Sequence, residues 1–114
     1  MRKAKVVIGA NFGDEGKGLM TDYYAAQAVR NGERCIVVLS NGGAQRGHTV
    51  ELENGDRHVF HHFGSGTFRG ADSYYPKEYI LNPLVYWDEY DELVQMGYTP
   101  ISFVNEACLV TTPY

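Results

Sequence analysis

The apolar positions of this chain fall into short runs with two different periods, and their alternation predicts an α/β fold. Ala4 to Gly9 holds a β-branched run, Val6-Val7-Ile8, closed at once by glycine, and reads as a buried strand. From Leu19 the period lengthens to that of a helix. Leu19, Tyr23 and Ala26 share one stripe, with Met20, Tyr24 and Gln27 beside it. Asn31-Gly32 should end that helix, because both residues tolerate a left-handed backbone. Arg34 to Leu39 carries the continuous run Ile36-Val37-Val38-Leu39, the pattern of a parallel strand buried on both faces. The βαβ unit so formed should cross over right-handed.

Downstream, Thr49–Glu53 and Asp56–His61 flank Asn54-Gly55, a hairpin signal. A two-residue turn there pairs Val50 with Val59 and Leu52 with Arg57. Gly64-Ser65-Gly66 is a break, and residues 67–76, with their Gly, Asp, Ser and Pro, read as a surface loop. Tyr79-Ile80-Leu81 reads as a short strand. Asn82-Pro83 opens a helix with proline at its first position. Leu84, Trp87, Tyr90 or Asp91, and Val94 mark its period, and Met96-Gly97 closes it. Ile101–Val104 and Ala107–Val110 are candidate strands. The expected architecture is a P-loop-like, mainly parallel sheet with flanking helices and a β-hairpin insertion. Residues 1–114 are expected to form a single unit, the N-terminal part of a larger domain.

Two glycine-rich stretches lie where that order puts chemistry. Gly13-Asp14-Glu15-Gly16-Lys17-Gly18 stands between the first strand and the first helix. In such a loop, backbone N–H groups and the helix dipole converge on an anion, and Lys17 adds a mobile full charge. The stretch Asn41-Gly42-Gly43-Ala44-Gln45-Arg46-Gly47-His48 leaves the second strand at the same sheet edge, the edge where open parallel sheets bind ligands. The two loops should therefore face one pocket. The first is not a Walker A sequence, which needs a shorter spacer and a Ser or Thr after the lysine; here six residues separate Gly9 from Gly16 and Gly18 follows Lys17. It is not a dinucleotide fingerprint either. Two acids inside a phosphate loop make sense if Asp14 binds magnesium or acts as a base and Glu15 points away.

The composition, 44% hydrophobic and 21% charged with a formal net charge of −4, suits one small globular unit and disfavours a nucleic-acid surface. No apolar run approaches a membrane span, and the apolar run behind the basic N-terminus is too short for a signal peptide, so the cytoplasm is expected. Cys35 and Cys108 read as buried free thiols. Of four histidines, His48 is placed at the pocket. His58 should be exposed or cross-strand in the hairpin. His61 and His62 should face opposite sides and serve packing, which is poor geometry for a metal pair. Tyr74, Tyr75, Tyr79, Tyr86, Trp87 and Tyr90 read as core and interface, and Asp88, Glu89, Asp91 and Glu92 as a solvated helix face. Ser65 lacks the surroundings of a nucleophile elbow.

The first loop followed by Gly42-Gly43 and Gly47-His48-Thr49 resembles the N-terminal part of the adenylosuccinate synthetase family. Ser65-Gly66, Asn82-Pro83 and Glu106-Ala107-Cys108 extend the likeness over essentially the whole chain. The resemblance implies a C–N ligase of purine nucleotide biosynthesis. It would join L-aspartate to IMP with GTP through a 6-phosphoryl intermediate, giving adenylosuccinate, as a Mg2+-dependent cytoplasmic homodimer. It implies Asp14 as the base at the purine N1 proton and as a Mg2+ ligand. His48 would be the acid or hydrogen-bond donor at the 6-oxygen, and the Gly47 carbonyl a second Mg2+ ligand. Gly13, Glu15, Gly16, Lys17, Gly18, Gln45 and Thr49 would serve nucleotide binding, with Lys17 and the glycine N–H groups on phosphates.

Asn11-Phe12 stand where the family usually has Gln-Trp, Gln45-Arg46 where it has Asn-Ala, and Leu19 where lysine is common. These departures resemble a viral branch that joins aspartate to dGMP, giving 2-amino-deoxyadenylosuccinate, with ATP or dATP as a further donor. That branch often replaces the loop aspartate, which is retained here, so IMP leads. A third expectation, from another class, is a non-catalytic nucleotide-binding module. The chain alone is expected to bind phosphates weakly and to catalyse nothing.

Overall fold

A computed structural model describes residues 3–8, 16–40 and 47–111. Helix α1 (Lys17–Arg30) starts directly after Gly16, so Lys17 and Gly18 belong to its first turn rather than to the preceding loop. It ends as expected at Asn31, whose N–H reaches the carbonyls of Gln27 and Ala28 at 3.1 Å. Its buried face differs from the expected stripe. Gly18, Asp22 and Ala25 point inward, whereas Leu19 and Tyr23 are 56% and 51% exposed. The reason is an ion pair: Asp22 is held by Arg69, Nε to Oδ1 at 3.0 Å and Nη2 to Oδ2 at 3.1 Å. A buried carboxylate so matched can occupy an inward position that an apolar pattern assigns elsewhere.

Strands β1 (Ile36–Val38), β4 (Asp72–Tyr75) and β6 (Ser102–Val104) form a parallel sheet in the order β1-β4-β6. The parallel geometry expected for β1 holds, but Ile36 and Val38 are exposed, so the strand is covered on one face only. The central strand, β4, lies inside the segment that reads as a surface loop. Its polar residues are tolerated because each has a partner. Asp72 pairs with Arg34 at 2.8 Å, and Ser73 Oγ accepts the Gly64 N–H at 2.9 Å. The expected first strand is not formed: residues 3–8 have no strand partner among the described residues, and Val6 and Ile8 are 85% and 80% exposed. Lys5 is drawn to α1 instead, its ammonium 4.5 Å above the Tyr24 ring, and an open cleft separates this segment from β1. Gly9, the last residue of that expected strand, lies outside the described residues.

Strands β2 (His48–Glu51) and β3 (Arg57–Phe60) form the expected hairpin, shifted by one residue. Val50 pairs with His58 and His48 with Phe60. The cause is a three-residue loop: Leu52 N–H meets the Asp56 carbonyl at 2.8 Å, and Gly55 takes φ +94°, a left-handed position open to glycine. The shift turns His58 inward, so it is cross-strand but buried rather than exposed. Strand β5 (Ile80–Leu81) pairs in parallel with β7 (Leu109–Val110). Between them, α2 (Pro83–Gln95) is capped by Asn82, whose Oδ1 accepts from the N–H groups of Leu84 and Val85. The helix packs through Tyr86, Glu89, Tyr90 and Leu93, while Leu84, Trp87 and Val94 are exposed. The expected apolar period is thus rotated, and Glu89 leaves the solvated face for the interior.

The core is aromatic, as expected, apart from Trp87. One cluster joins Val50, Phe60, Phe63, Phe68 and Leu93, another joins Leu39, Tyr75 and Tyr79, and Tyr86 touches both. Cys35 and Cys108 are free, half-buried thiols pushed up from their ordinary pKa, first by burial. Among the described residues no helix is long and apolar enough to cross a membrane.

Candidate active site

The opening of α1, the head of β2 and the 64–66 turn meet in one place. Gly16 precedes α1 with φ +78° and offers no side-chain cap, and the first helical turn carries no acid. The turn is closed instead by Met20 N–H on the Gly16 carbonyl at 3.0 Å. Thr21 Oγ1 also donates to the Lys17 carbonyl, at 2.9 Å. A helix start of this kind favours an anion. Beside it runs a cleft of about 980 Å3, lined on one side by Lys17, Gly18, Thr21, His48 and Ser65 and on the other by residues 3–8 and 33–40. Among the described residues that line it, Lys3, Lys5, Lys17 and Arg34 stand against the acid Glu33, a cationic balance that suits a phosphate-bearing ligand.

Contact within this group is close. A Cβ built on Gly18 would fall 2.5 Å from His48 Cβ and 3.1 Å from Ser65 Oγ. Glycine at position 18 is therefore a packing requirement: it lets the helix start approach the histidine strand. The 64–66 turn is wedged the same way. A Cβ on Gly66 would lie 2.8 Å from Ala25 Cβ, and one on Gly64 would lie 2.8 Å from Val37 Cβ. The turn is thus the floor on which α1 and β1 both rest.

Glu89 anchors the segment leading into that floor. Its carboxylate is buried and accepts three consecutive backbone N–H groups. His61 and His62 donate to Oε2 at 2.9 and 3.1 Å, and Phe63 donates to Oε1 at 2.9 Å. Burial alone would raise its pKa, but His58 and these backbone donors outweigh it and hold Glu89 below the usual carboxylate range. His58 lies between two carboxylates, Nδ1 at 3.0 Å from Glu92 and Nε2 at 3.7 Å from Glu89. Burial lowers its pKa, yet the charges of Glu89 and Glu92 and the hydrogen bond with Glu92 carry it above the ordinary value. His62 is fully buried and accepts the Asn82 N–H at Nε2, 2.8 Å away, a packing role as expected.

The structure therefore brings Lys17, Gly18 and His48 onto one cleft, with Gly16 at the helix start. Gly47 and Thr49 flank His48 but are not among the cleft-lining residues, and Thr49 points to the other face of β2. Gly13, Asp14, Glu15 and Gln45 lie outside the described residues. Sequence reasoning missed Ser65 as a cleft residue and Glu89 as an anchor. The signal for Glu89 was its helical spacing with Tyr86 and Leu93, which places it on their buried face.

The family described as Adenylosuccinate synthetase matches this chain over residues 6–114. An adenylosuccinate synthetase of Acaryochloris marina is 36% identical over 111 residues, covering 96% of this chain and 23% of the relative. One from Clostridium acetobutylicum is 37% identical over 95 residues, 82% of this chain and 21% of the relative. One from Natronomonas pharaonis is 34% identical over 108 residues, 95% of this chain and 22% of the relative. The chain spans about a quarter of the length of the curated relatives it matches. Because the likeness runs through the helix start, the histidine strand and the glycine floor alike, the chain belongs to the adenylosuccinate synthetase family.

Proposed function

We propose that this chain supplies the phosphate-binding and proton-handling part of a ligase that joins L-aspartate to IMP with GTP. The observation that carries the reading is the convergence of the α1 start and His48 on one cationic cleft. Phosphoryl transfer is mostly positioning and neutralisation of spreading charge. Lys17 and the N–H groups at the start of α1 are suited to the GTP phosphates. Asp14 takes the proton from purine N1, which drives electron density onto the 6-oxygen. His48 donates a hydrogen bond to that oxygen as it attacks the γ-phosphorus. The bond to GDP then breaks, and the 6-oxygen leaves as phosphate when the aspartate amine attacks carbon 6. A positioned acid or base contributes about two to four orders of magnitude in rate.

Mg2+ takes one or two protein oxygens together with substrate phosphates and waters. Asp14 and the Gly47 carbonyl are donors of that kind, and Gly47 stands one residue before His48, at the head of a strand that reaches the cleft. Bound there, the ion would neutralise charge on the transferring group. A homodimeric assembly enters this reading from the family resemblance alone, and a cytoplasmic location from that resemblance together with the expectation drawn from the sequence. The whole reaction belongs to the full-length protein, and the 114-residue chain alone should release no phosphate from GTP. Labelling IMP with oxygen-18 at the 6-position tests the chemistry. The label must appear in the released phosphate; adenylosuccinate formed together with unlabelled phosphate would reject the phosphoryl step.

A further inference from the structure

The Glu89 carboxylate lies outside the cleft, yet it holds the segment that joins two of the cleft's walls. His61, His62 and Phe63 give it three consecutive N–H groups. Immediately before them stands Phe60, the cross-strand partner of His48. Immediately after them come Gly64, Ser65 and Gly66, against which α1 rests at Ala25 and Gly18. The segment is also tied from behind, by the Tyr75 hydroxyl on the His62 carbonyl and by Asn82 N–H on His62 Nε2. These ties fix its depth. The Glu89 clamp is the contact that reaches all three of its N–H groups, and so sets its path between the strand and the floor.

We propose that Glu89 is a positioning residue for His48, setting the hairpin that carries the histidine against the helix start through the clamped 61–63 segment. The inference rests on the reading of His48 given above. A carboxylate suits the task because both of its oxygens accept. An amide in its place would turn an NH2 group toward N–H donors and lose one side of the clamp. His58 faces the carboxylate from the other side, with Nε2 at 3.7 Å, and Glu92 faces His58 in turn. Arg57, His61 and Asp88 line the small cavity beside them. Glu92 is exposed and touches only His58 in this group, so it is the control position.

The test compares wild type, Glu89→Gln, Glu89→Asp and Glu92→Gln by amide hydrogen exchange on the full chain and by kinetics on the full-length protein. Glu89→Gln should speed exchange about 100-fold at residues 61–63 and at the His48–Phe60 pair, while the β6 amides hold their rates. Glu89→Asp, which keeps the charge on a shorter stem, should fall between, and it carries the test if the glutamine variant does not fold. Glu92→Gln should leave the His48–Phe60 rates unchanged. In turnover, Glu89→Gln should lower kcat by about 10-fold or more with the KM for GTP within about twofold, and aspartate at 89 should restore part of it. Faster exchange at 61–63 with unchanged His48 and Phe60 would overturn the proposal, as would an equal rise in every strand including β6. A wild-type protein without turnover would reject the proposed function and leave the exchange result to decide the role of Glu89.

Discussion

Replacing Gly18 by alanine should reverse the usual sign of that change in a helix. In an open helical position alanine is favoured over glycine by about 1 kcal/mol. At position 18 the new Cβ would stand 2.5 Å from His48 Cβ and 3.1 Å from Ser65 Oγ. Carbon atoms in good contact sit at roughly 3.5–4.0 Å, so α1 and β2 must part by about 1 Å. Neither Cβ can swing aside, because each is fixed to its own backbone. Overpacking of this kind costs about 1–3 kcal/mol, and the rigidity of both atoms puts it toward the upper end. Net of the propensity gain, the variant should be about 2 kcal/mol less stable. For a chain of this size that lowers Tm by roughly 10 °C. Thermal melts of both proteins by far-UV circular dichroism measure it. A Tm equal to or above wild type would refute the close packing of helix start and histidine strand.

Three further outcomes follow from the same geometry. Arg69→Ala strands the Asp22 carboxylate, whose side chain is 5% exposed against 38% for Arg69, and should cost about 2 kcal/mol or more in urea denaturation; Arg69→Ala with Asp22→Asn should recover part of it. The pH dependence has two limbs. Glu89, lowered from 4.5, adds stability that is present above that value and lost as pH falls through its folded pKa, while His58, raised from 6.5, adds stability that is full below 6.5 and lost as pH rises through its folded pKa. Urea midpoints should therefore be highest between those two values, and His58→Gln should flatten the alkaline limb. Asp14→Asn in the full-length protein should abolish turnover and leave the circular dichroism spectrum unchanged; near-normal turnover would remove Asp14 from its role.

The parts of the fold that repeat a local signal were readable in advance. Asn31-Gly32 ended α1, Asn82-Pro83 began α2, and the β-branched run at 36–38 became a parallel strand. What was hidden depended on partners far away in sequence. Strand β4 looked like loop because Asp72 and Ser73 are polar, and their burial is supported by Arg34 and by the Gly64 N–H. Both helices turned their polar Asp22 and Glu89 inward for the same reason: Arg69 and the 61–63 backbone wait there. The hairpin register slipped because the turn took three residues rather than two. At the site, Lys17, Gly18 and His48 were found from glycine spacing, although the strand expected before Lys17 is not formed among the described residues. Ser65 and Glu89 were not, since one looked like a bare turn residue and the other like one of four surface acids.

The most direct measurement is product identification by mass spectrometry from the full-length protein given L-aspartate, GTP and Mg2+ with IMP or with dGMP. The expected result is adenylosuccinate from IMP, with one GDP and one phosphate formed per product. An aspartate-linked product from dGMP with none from IMP, or no product from either, would contradict it.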